Sequence, residues 1–302
     1  MRYVVFLLGV VFLLASCSAP VDSSARLTGS EGVVLSITSQ PGEIFAGEEF
    51  SLTYRLENKG STPVFVDDPG RLVFSFDNYY LEYVDRIDRF RSEDFWLQPR
   101  TVFAAGEVAF VTAYFRAREI QRSSPMVNTA VTASVCYPYT SSFTTQVCLE
   151  ATREADAGSI ICRSTPIIIP SPAAPVGVDS ITTRTARTAD GQVLPQFRLN
   201  IRNLDRGVPA TSSCSGLSGE AASGLNNVHV RAFLLDEELI CLGSGVDGAV
   251  RLQNGRGIVT CSVSEASSLR FGASSTNYLS LLSVDIEYTY RQSVRSDLRI
   301  LR

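Results

Sequence analysis

The sequence predicts an all-β chain of two antiparallel β-sandwiches in tandem, and three observations carry that prediction. Apolar and polar residues alternate with period two, as in Phe50-Ser51-Leu52-Thr53-Tyr54-Arg55-Leu56 and Phe197-Arg198-Leu199-Asn200-Ile201-Arg202, the pattern of strands buried on one face. The runs are short and punctuated throughout by Gly, Pro and Asn, which is how sandwiches read. With 302 residues, 45% hydrophobic and 19% charged, and a mean hydropathy of +0.10, the chain can bury two ordinary cores and is neither disordered nor polytopic.

In order, Met1-Arg2 precedes an uncharged run from Tyr3 to Ala15, shorter than the ~20 residues of a membrane-spanning helix and suited to the apolar region of a signal peptide. It closes with Leu14-Ala15-Ser16-Cys17, which resembles the lipobox of prokaryotic lipoproteins. That resemblance implies a signal peptide over 1–16 and a lipidated Cys17 at the mature N-terminus. Residues 17–32 are small and polar and read as a flexible tether. The first sandwich is expected over 33–165, with strands at Val33–Ile37, Phe50–Leu56, Pro63–Val66, Leu72–Phe76, Tyr79–Val84, Val108–Phe115, Val127–Tyr139, Phe143–Leu149 and Ile160–Ile169. Asp85–Trp96 reads as a short helix or structured loop. Residues 166–177, with prolines at 166, 170, 172 and 175, read as a semi-rigid linker. The second sandwich, 178–302, is expected to use Val178–Thr183, Phe197–Arg202, Val228–Leu235, Leu239–Leu242, Val250–Leu252, Gly257–Val263, Leu279–Tyr290 and Leu298–Leu301.

Residues Ser39–Gly60 (SQPGEIFAGEEFSLTYRLENKG) resemble the opening of cell-adhesion-related, immunoglobulin-like domains of prokaryotic surface proteins, and Phe197–Gly207 is a fainter echo. Cys136-Tyr137-Pro138-Tyr139 and Val284–Tyr290 are similar to segments of exported archaeal proteins. The resemblance implies immunoglobulin-like sandwiches and supplies no catalytic residue.

Removing Cys17 leaves six cysteines, an even number in an exported chain, which reads as disulfides. Three precede the proline-rich segment (Cys136, Cys148, Cys162) and three follow it (Cys214, Cys241, Cys261), so full oxidation requires at least one bond between the halves. Cys241 and Cys261 flank a strand-turn-strand stretch and pair best. Cys148 with Cys162 competes with Cys136 to Cys148 across a hairpin near Ser142; the former leaves Cys136 to meet Cys214.

Charge and composition exclude several functions. Lys plus Arg number 27 against 31 acids, so nothing neutralises phosphates as a nucleic-acid binder must. His229 is the only histidine, which argues against most metallohydrolases and triad enzymes. It alternates with valines as an ordinary strand residue. Dinucleotide, P-loop, zinc-protease and serine-elbow motifs are absent. Asp67-Asp68 and Asp236–Glu238 are weak calcium candidates, the latter reading better as a hairpin turn. The richest segment for ligand contact is Phe74–Tyr83 with Phe90, Phe95 and Trp96, from which Tyr79, Tyr80, Tyr83, Phe95 and Trp96 are candidates for stacking on a glycan or a protein. The mixed charges of 85–94 read as a solvated face. The expectation is a non-catalytic cell-surface protein without metal or cofactor, attached to the membrane through its N-terminal lipid. It would contact envelope or cell-surface proteins, with a carbohydrate-binding module or an accessory subunit of an extracellular enzyme as alternatives.

Overall fold

The computed structural model describes residues 27–88, 94–121, 124–150, 162–187, 193–214, 224–243, 248–264 and 277–302. Its strands in chain order are β1 (Val33–Ser39), β2 (Ile44–Phe45), β3 (Glu49–Asn58), β4 (Gly70–Phe76), β5 (Leu81–Asp88), β6 (Asp94–Phe95), β7 (Val108–Ala117), β8 (Met126–Leu149) and β9 (Ile167–Ile168). They continue with β10 (Val176–Arg187), β11 (Val193–Asn203), β12 (Val208–Ala210), β13 (Asn227–Leu234), β14 (Glu237–Glu238), β15 (Ile240–Leu242), β16 (Ala249–Arg251), β17 (Arg256–Ser262) and β18 (Tyr278–Leu301). No α-helix occurs among the described residues.

The spine is β8 against β18. These antiparallel strands are 24 residues each and pair without a register shift from Met126↔Leu301 to Leu149↔Tyr278, a ladder of ~80 Å at about 3.4 Å per residue. Alternation explains why neither strand breaks. Val131, Ala133, Val135, Tyr137, Tyr139, Ser141, Val147 and Leu149 on β8 are buried, as are Ser280, Leu282, Val284, Ile286, Tyr288, Tyr290, Ser296, Leu298 and Ile300 on β18. All lie on one face of one sheet, ordered β14-β13-β18-β8-β4-β6, with β12 and β2 also on β18 and β16 on β13.

Two smaller sheets cover that face. The sheet β1-β3-β7-β5 packs over one half, where Phe74 of β4 meets Tyr54 and stands edge-on to Phe115, and the Tyr54 hydroxyl lies 3.4 Å from Ser296 Oγ. The sheet β15-β17-β11-β10-β9 packs over the other with Ile181, Phe197, Leu199, Val259 and Cys261 buried. The result is two sandwiches that share one continuous sheet.

At the waist between them Tyr137 pairs with Tyr290 and Tyr139 with Tyr288 across the spine, and all four are buried on the inner face. Buried hydroxyls need partners, and each here reaches a different segment. The Tyr137 hydroxyl accepts from Val33 N at 2.9 Å. That of Tyr139 accepts from Ser61 N and Thr62 N and donates to the Ala173 carbonyl at 2.9 Å. That of Tyr288 accepts from Val176 N at 3.1 Å and shares a 2.7 Å bond with Ser141 Oγ, while Tyr290 donates to Asn203 Oδ1 at 3.0 Å. Two glycines make room, since a Cβ at Gly32 would lie 2.5 Å from the Tyr137 hydroxyl and one at Gly60 would lie 2.1 Å from that of Tyr139.

Three expected elements take other forms. The break between Val127–Tyr139 and Phe143–Leu149 does not occur. Pro138 is accommodated because the Thr140 carbonyl accepts from Thr62 Oγ1 at 2.6 Å, so by two-residue alternation the backbone of 138 also faces away from β18 and no spine bond is lost. The proline-rich stretch is not an exposed linker: β9 lies within it, Ala173–Gly177 are buried, and Tyr139, Ser61 and Tyr288 hold its backbone. The halves expected at 33–165 and 178–302 therefore meet in one sheet. Asp85–Trp96 is not helical at its described ends, because β5 runs through Asp88 and β6 takes Asp94 and Phe95; residues 89–93 lie outside the described set.

Gly60→Ala is expected to destabilise the protein by about 1–3 kcal/mol, as overpacking does, read as a lower urea midpoint with unchanged slope. Conversely, the β13–β14 hairpin turns on Leu235 and Asp236, both at positive φ (50° and 68°), which Asn-Gly adopts far more easily. Leu235→Asn with Asp236→Gly should raise stability by about 0.5–1 kcal/mol. The waist also sets a pH dependence. Burial raises the hydroxyl pKa of Tyr137, Tyr139, Tyr288 and Tyr290 above the ordinary value of 10.0. Each tyrosine's contribution is complete below about pH 10 and is lost as pH rises toward its folded value, because only the unfolded chain ionises there, at about 1.4 kcal/mol per pH unit per group. Unfolding midpoints in urea should fall steeply between about pH 10 and 11.5, and a Tyr290→Phe chain should fall less steeply.

Candidate functional site

The six cysteines form three bonds, Cys136–Cys214, Cys148–Cys162 and Cys241–Cys261. Cys241 and Cys261 face each other directly in the β15–β17 ladder. Cys148 lies near the end of β8, with Cys162 beside it. Cys136 lies on β8 opposite Arg291 and Cys214 four residues past β12, itself paired with β18 at 289–291, so this bond ties the segment after β12 to β8 at the waist and joins the two halves. Three disulfides place the chain in an oxidising, extracytoplasmic environment. No helix among the described residues is long and apolar enough to cross a membrane. Cys17 lies outside the described residues.

The five aromatic candidates do not converge. Phe95 is 1% exposed and belongs to the core. Tyr83 packs against Phe74, Phe76 and Phe115, and Tyr80 rests on the same cluster with its ring edge-on to Tyr79. Only Tyr79 and Trp96 are well exposed, at 58% and 45%. Tyr79 sits in the turn after β4, whereas Trp96 follows β6, which pairs with the start of β4 at Gly70 and Arg71. The length of β4 separates them by ~20 Å. Phe90 lies outside the described residues.

Trp96 instead belongs to a different surface. Val64 and Leu97, both buried, form an antiparallel bridge with Val64 N to Leu97 O at 3.0 Å and Leu97 N to Val64 O at 3.1 Å. Their neighbours Phe65 and Trp96 face outward, Phe65 61% exposed. Beyond the bridge the register resumes at Gly70↔Phe95, so residues 65–69 stand against Trp96 alone. Pro63 and Pro69 bracket this excursion and supply no ladder donors, and the chain bulges outward. Asn58 fixes its base, Nδ2 donating to Thr62 O at 2.9 Å and Leu97 O at 3.2 Å. The surface presents Phe65, Val66 and Trp96 beside the exposed carboxylates of Asp67 and Asp68, with Arg71 and Asp94 paired at 3.3 Å on the strands behind. An apolar centre with an acidic rim can bury aromatic area against a partner while its charges select the partner's sign.

Phe65 and Val66 were legible only as part of an expected strand. The signal against that reading was the pair of prolines, 63 and 69, around five residues, too short a stretch to pair on both sides. Of the other candidates, His229 lies in β13 opposite Ala249 and Glu287, between buried valines 228 and 230. Asp236–Glu238 form the β13–β14 hairpin, where Glu238 binds Arg231 at 2.9 Å. Among the described residues no three His, Cys, Asp or Glu side chains cluster as a metal site would need. No protein-family model matches the chain, and no curated protein matches it.

Replacing Cys136 and Cys214 together by Ala opens a loop of 78 residues and should cost about 4 kcal/mol on chain-entropy reasoning. The 20-residue Cys241–Cys261 loop should cost about 3. Urea denaturation measures both, and non-reducing peptide mapping should recover 136 linked to 214.

Proposed function

We propose that this chain is a non-catalytic, lipid-anchored cell-surface protein that binds another envelope protein through the Phe65–Val66–Trp96 surface. The observation that carries the reading is the exposed aromatic pair on a bulge whose base is fixed by the Val64–Leu97 bridge and the Asn58 hydrogen bonds. Aromatic anchors on a rigid base lose little entropy on binding, which is what interface hot spots need. The lipobox-like Leu14–Cys17 supports the anchor, and the three disulfides suit a scaffold working outside the cytoplasm. The resemblance of 39–60 to adhesion-related domains agrees with a role in contact. The exposed carboxylates of Asp67 and Asp68 beside the apolar centre favour a protein partner over a sugar, because a charged rim selects a partner of opposite sign.

The test is photo-crosslinking in native membranes with a reactive residue at Val66. A defined protein adduct is expected, reduced about 10- to 30-fold by Trp96→Ala or Phe65→Ala, the loss of a hot-spot aromatic, and unchanged by Tyr79→Ala. Adducts insensitive to both substitutions would exclude this surface. Glycan-array binding lost in Trp96→Ala would establish the carbohydrate reading instead. Release of a Cys17→Ser chain from the membrane checks the anchor separately.

A further inference from the structure

The most exposed large hydrophobic side chain among the described residues is Phe103, at 97%, with Val102 beside it at 48%. Both sit at the tip of an arm formed by residues 98–107. Glu107 N donates to Gln98 O at 3.1 Å and Gln98 N to Glu107 Oε2 at 3.0 Å at the base, and Thr101 N donates to Ala104 O at 2.9 Å near the tip. Thr101 Oγ1 accepts from Phe103 N and Ala104 N at 3.3 and 3.0 Å, so the turn satisfies much of its own backbone. From Thr101 to Gly106 the arm carries no charge; Arg100 and Glu107 stand at its base. Arg100 fixes the arm's place, its backbone N bonded to Gly60 O at 2.9 Å and its guanidinium to the Thr28 carbonyl. Leu27 and Thr28 line a cleft of about 490 Å³ with residues 100–105. The arm therefore stands where the described chain begins.

We infer that Val102 and Phe103 form a membrane-contact tip that inserts into the lipid interface beside the anchor. The inference rests on the reading that Cys17 carries the lipid. Nine residues lie between Cys17 and Leu27, ten Cα steps that at full extension span ~35 Å, so an anchored chain holds Leu27 within that distance of a bilayer, and with it the tip that shares its cleft. A tether this short raises the local concentration of lipid around the tip to the millimolar range or above, and weak interfacial affinity then suffices. An apolar tip whose turn bonds are internally made loses little on leaving water, because the cost of entering lipid lies in unsatisfied backbone and charge. A second contact would also fix the molecule's orientation, which a single flexible attachment leaves free.

The experiment imposes the attachment. The mature chain from Cys17, made without lipid, has that one thiol outside its three disulfides, which couples to maleimide-bearing lipid in phosphatidylcholine–phosphatidylglycerol vesicles. Trp96 is the sole tryptophan, so Trp96→Phe with Phe103→Trp moves the only indole to the tip, both changes being at exposed positions. Coupling should shift its emission to the blue and let brominated acyl chains quench it about twofold, an effect expected to vanish on adding Val102→Asp. Emission unchanged on coupling and still quenched by aqueous acrylamide would overturn the inference whether or not cells lipidate Cys17. The mass of the native N-terminal peptide tests the lipidation by itself. A photo-reactive residue at 103 in native membranes that captures a protein in place of lipid would likewise overturn it.

Discussion

Four phenols buried side by side impose the constraint on which the rest of this structure depends. An unpartnered buried hydroxyl costs about 1–3 kcal/mol, and the waist contains four, on two adjacent strands that run the length of the molecule. The chain meets this cost by bringing to three of the rings a backbone group that has no ladder partner of its own at that point, Val33 at the start of β1, Ser61 and Thr62 after β3, Ala173 in the proline-rich stretch and Val176 at the start of β10, and to Tyr290 the side chain of Asn203. Glycine stands at 32 and 60 because a ring already occupies the space. The proline-rich stretch is ordered here for the same reason, since an extended segment with few donors still has carbonyls to offer, and Ala173 gives its carbonyl to both Tyr139 and Ser61.

Much of the fold was legible in the sequence, and what was not had a local cause. All-β character followed from alternation in β3, β11 and β13, where every second residue is buried. Parity of the cysteines pointed to a bond between the halves, and the pairing in the structure is the one that leaves Cys136 for Cys214. The continuous spine was obscured by two polar stretches, Thr140–Ser142, which read as a hairpin, and Arg291–Asp297, where the apolar run stops. The decisive clue was phase: odd-numbered residues point inward on both sides of Pro138 and even-numbered ones on both sides of Arg291, which a hairpin would not require. Phase is a long-range property and is missed when runs are judged one at a time.

The candidate surfaces were less legible, because exposure depends on which neighbour a strand finds. Phe95 and Trp96 are adjacent and chemically alike, yet one lies in the core and the other faces solvent, a difference set by the two registers on either side of them. Phe65 acquires its neighbour from a segment thirty-one residues later, Trp96. The Phe103 arm was silent because an uncharged run such as Thr101–Gly106 shows no periodicity. Only its surroundings distinguish a buried turn from an exposed tip.

The spine also bears on how the molecule carries force. Backbone hydrogen bonds in an antiparallel ladder lie across the strands, so tension drawing β8 and β18 past one another loads the whole row together, while tension peeling them at one end would break bonds in succession. Opposed tension along β8 and β18 would therefore meet all of the ladder at once. The Cys136–Cys214 bond ties β8 to the segment that follows β12, which is itself paired with β18 at mid-length, and so opposes that sliding. A body built this way resists traction along its spine through geometry more than through total stability.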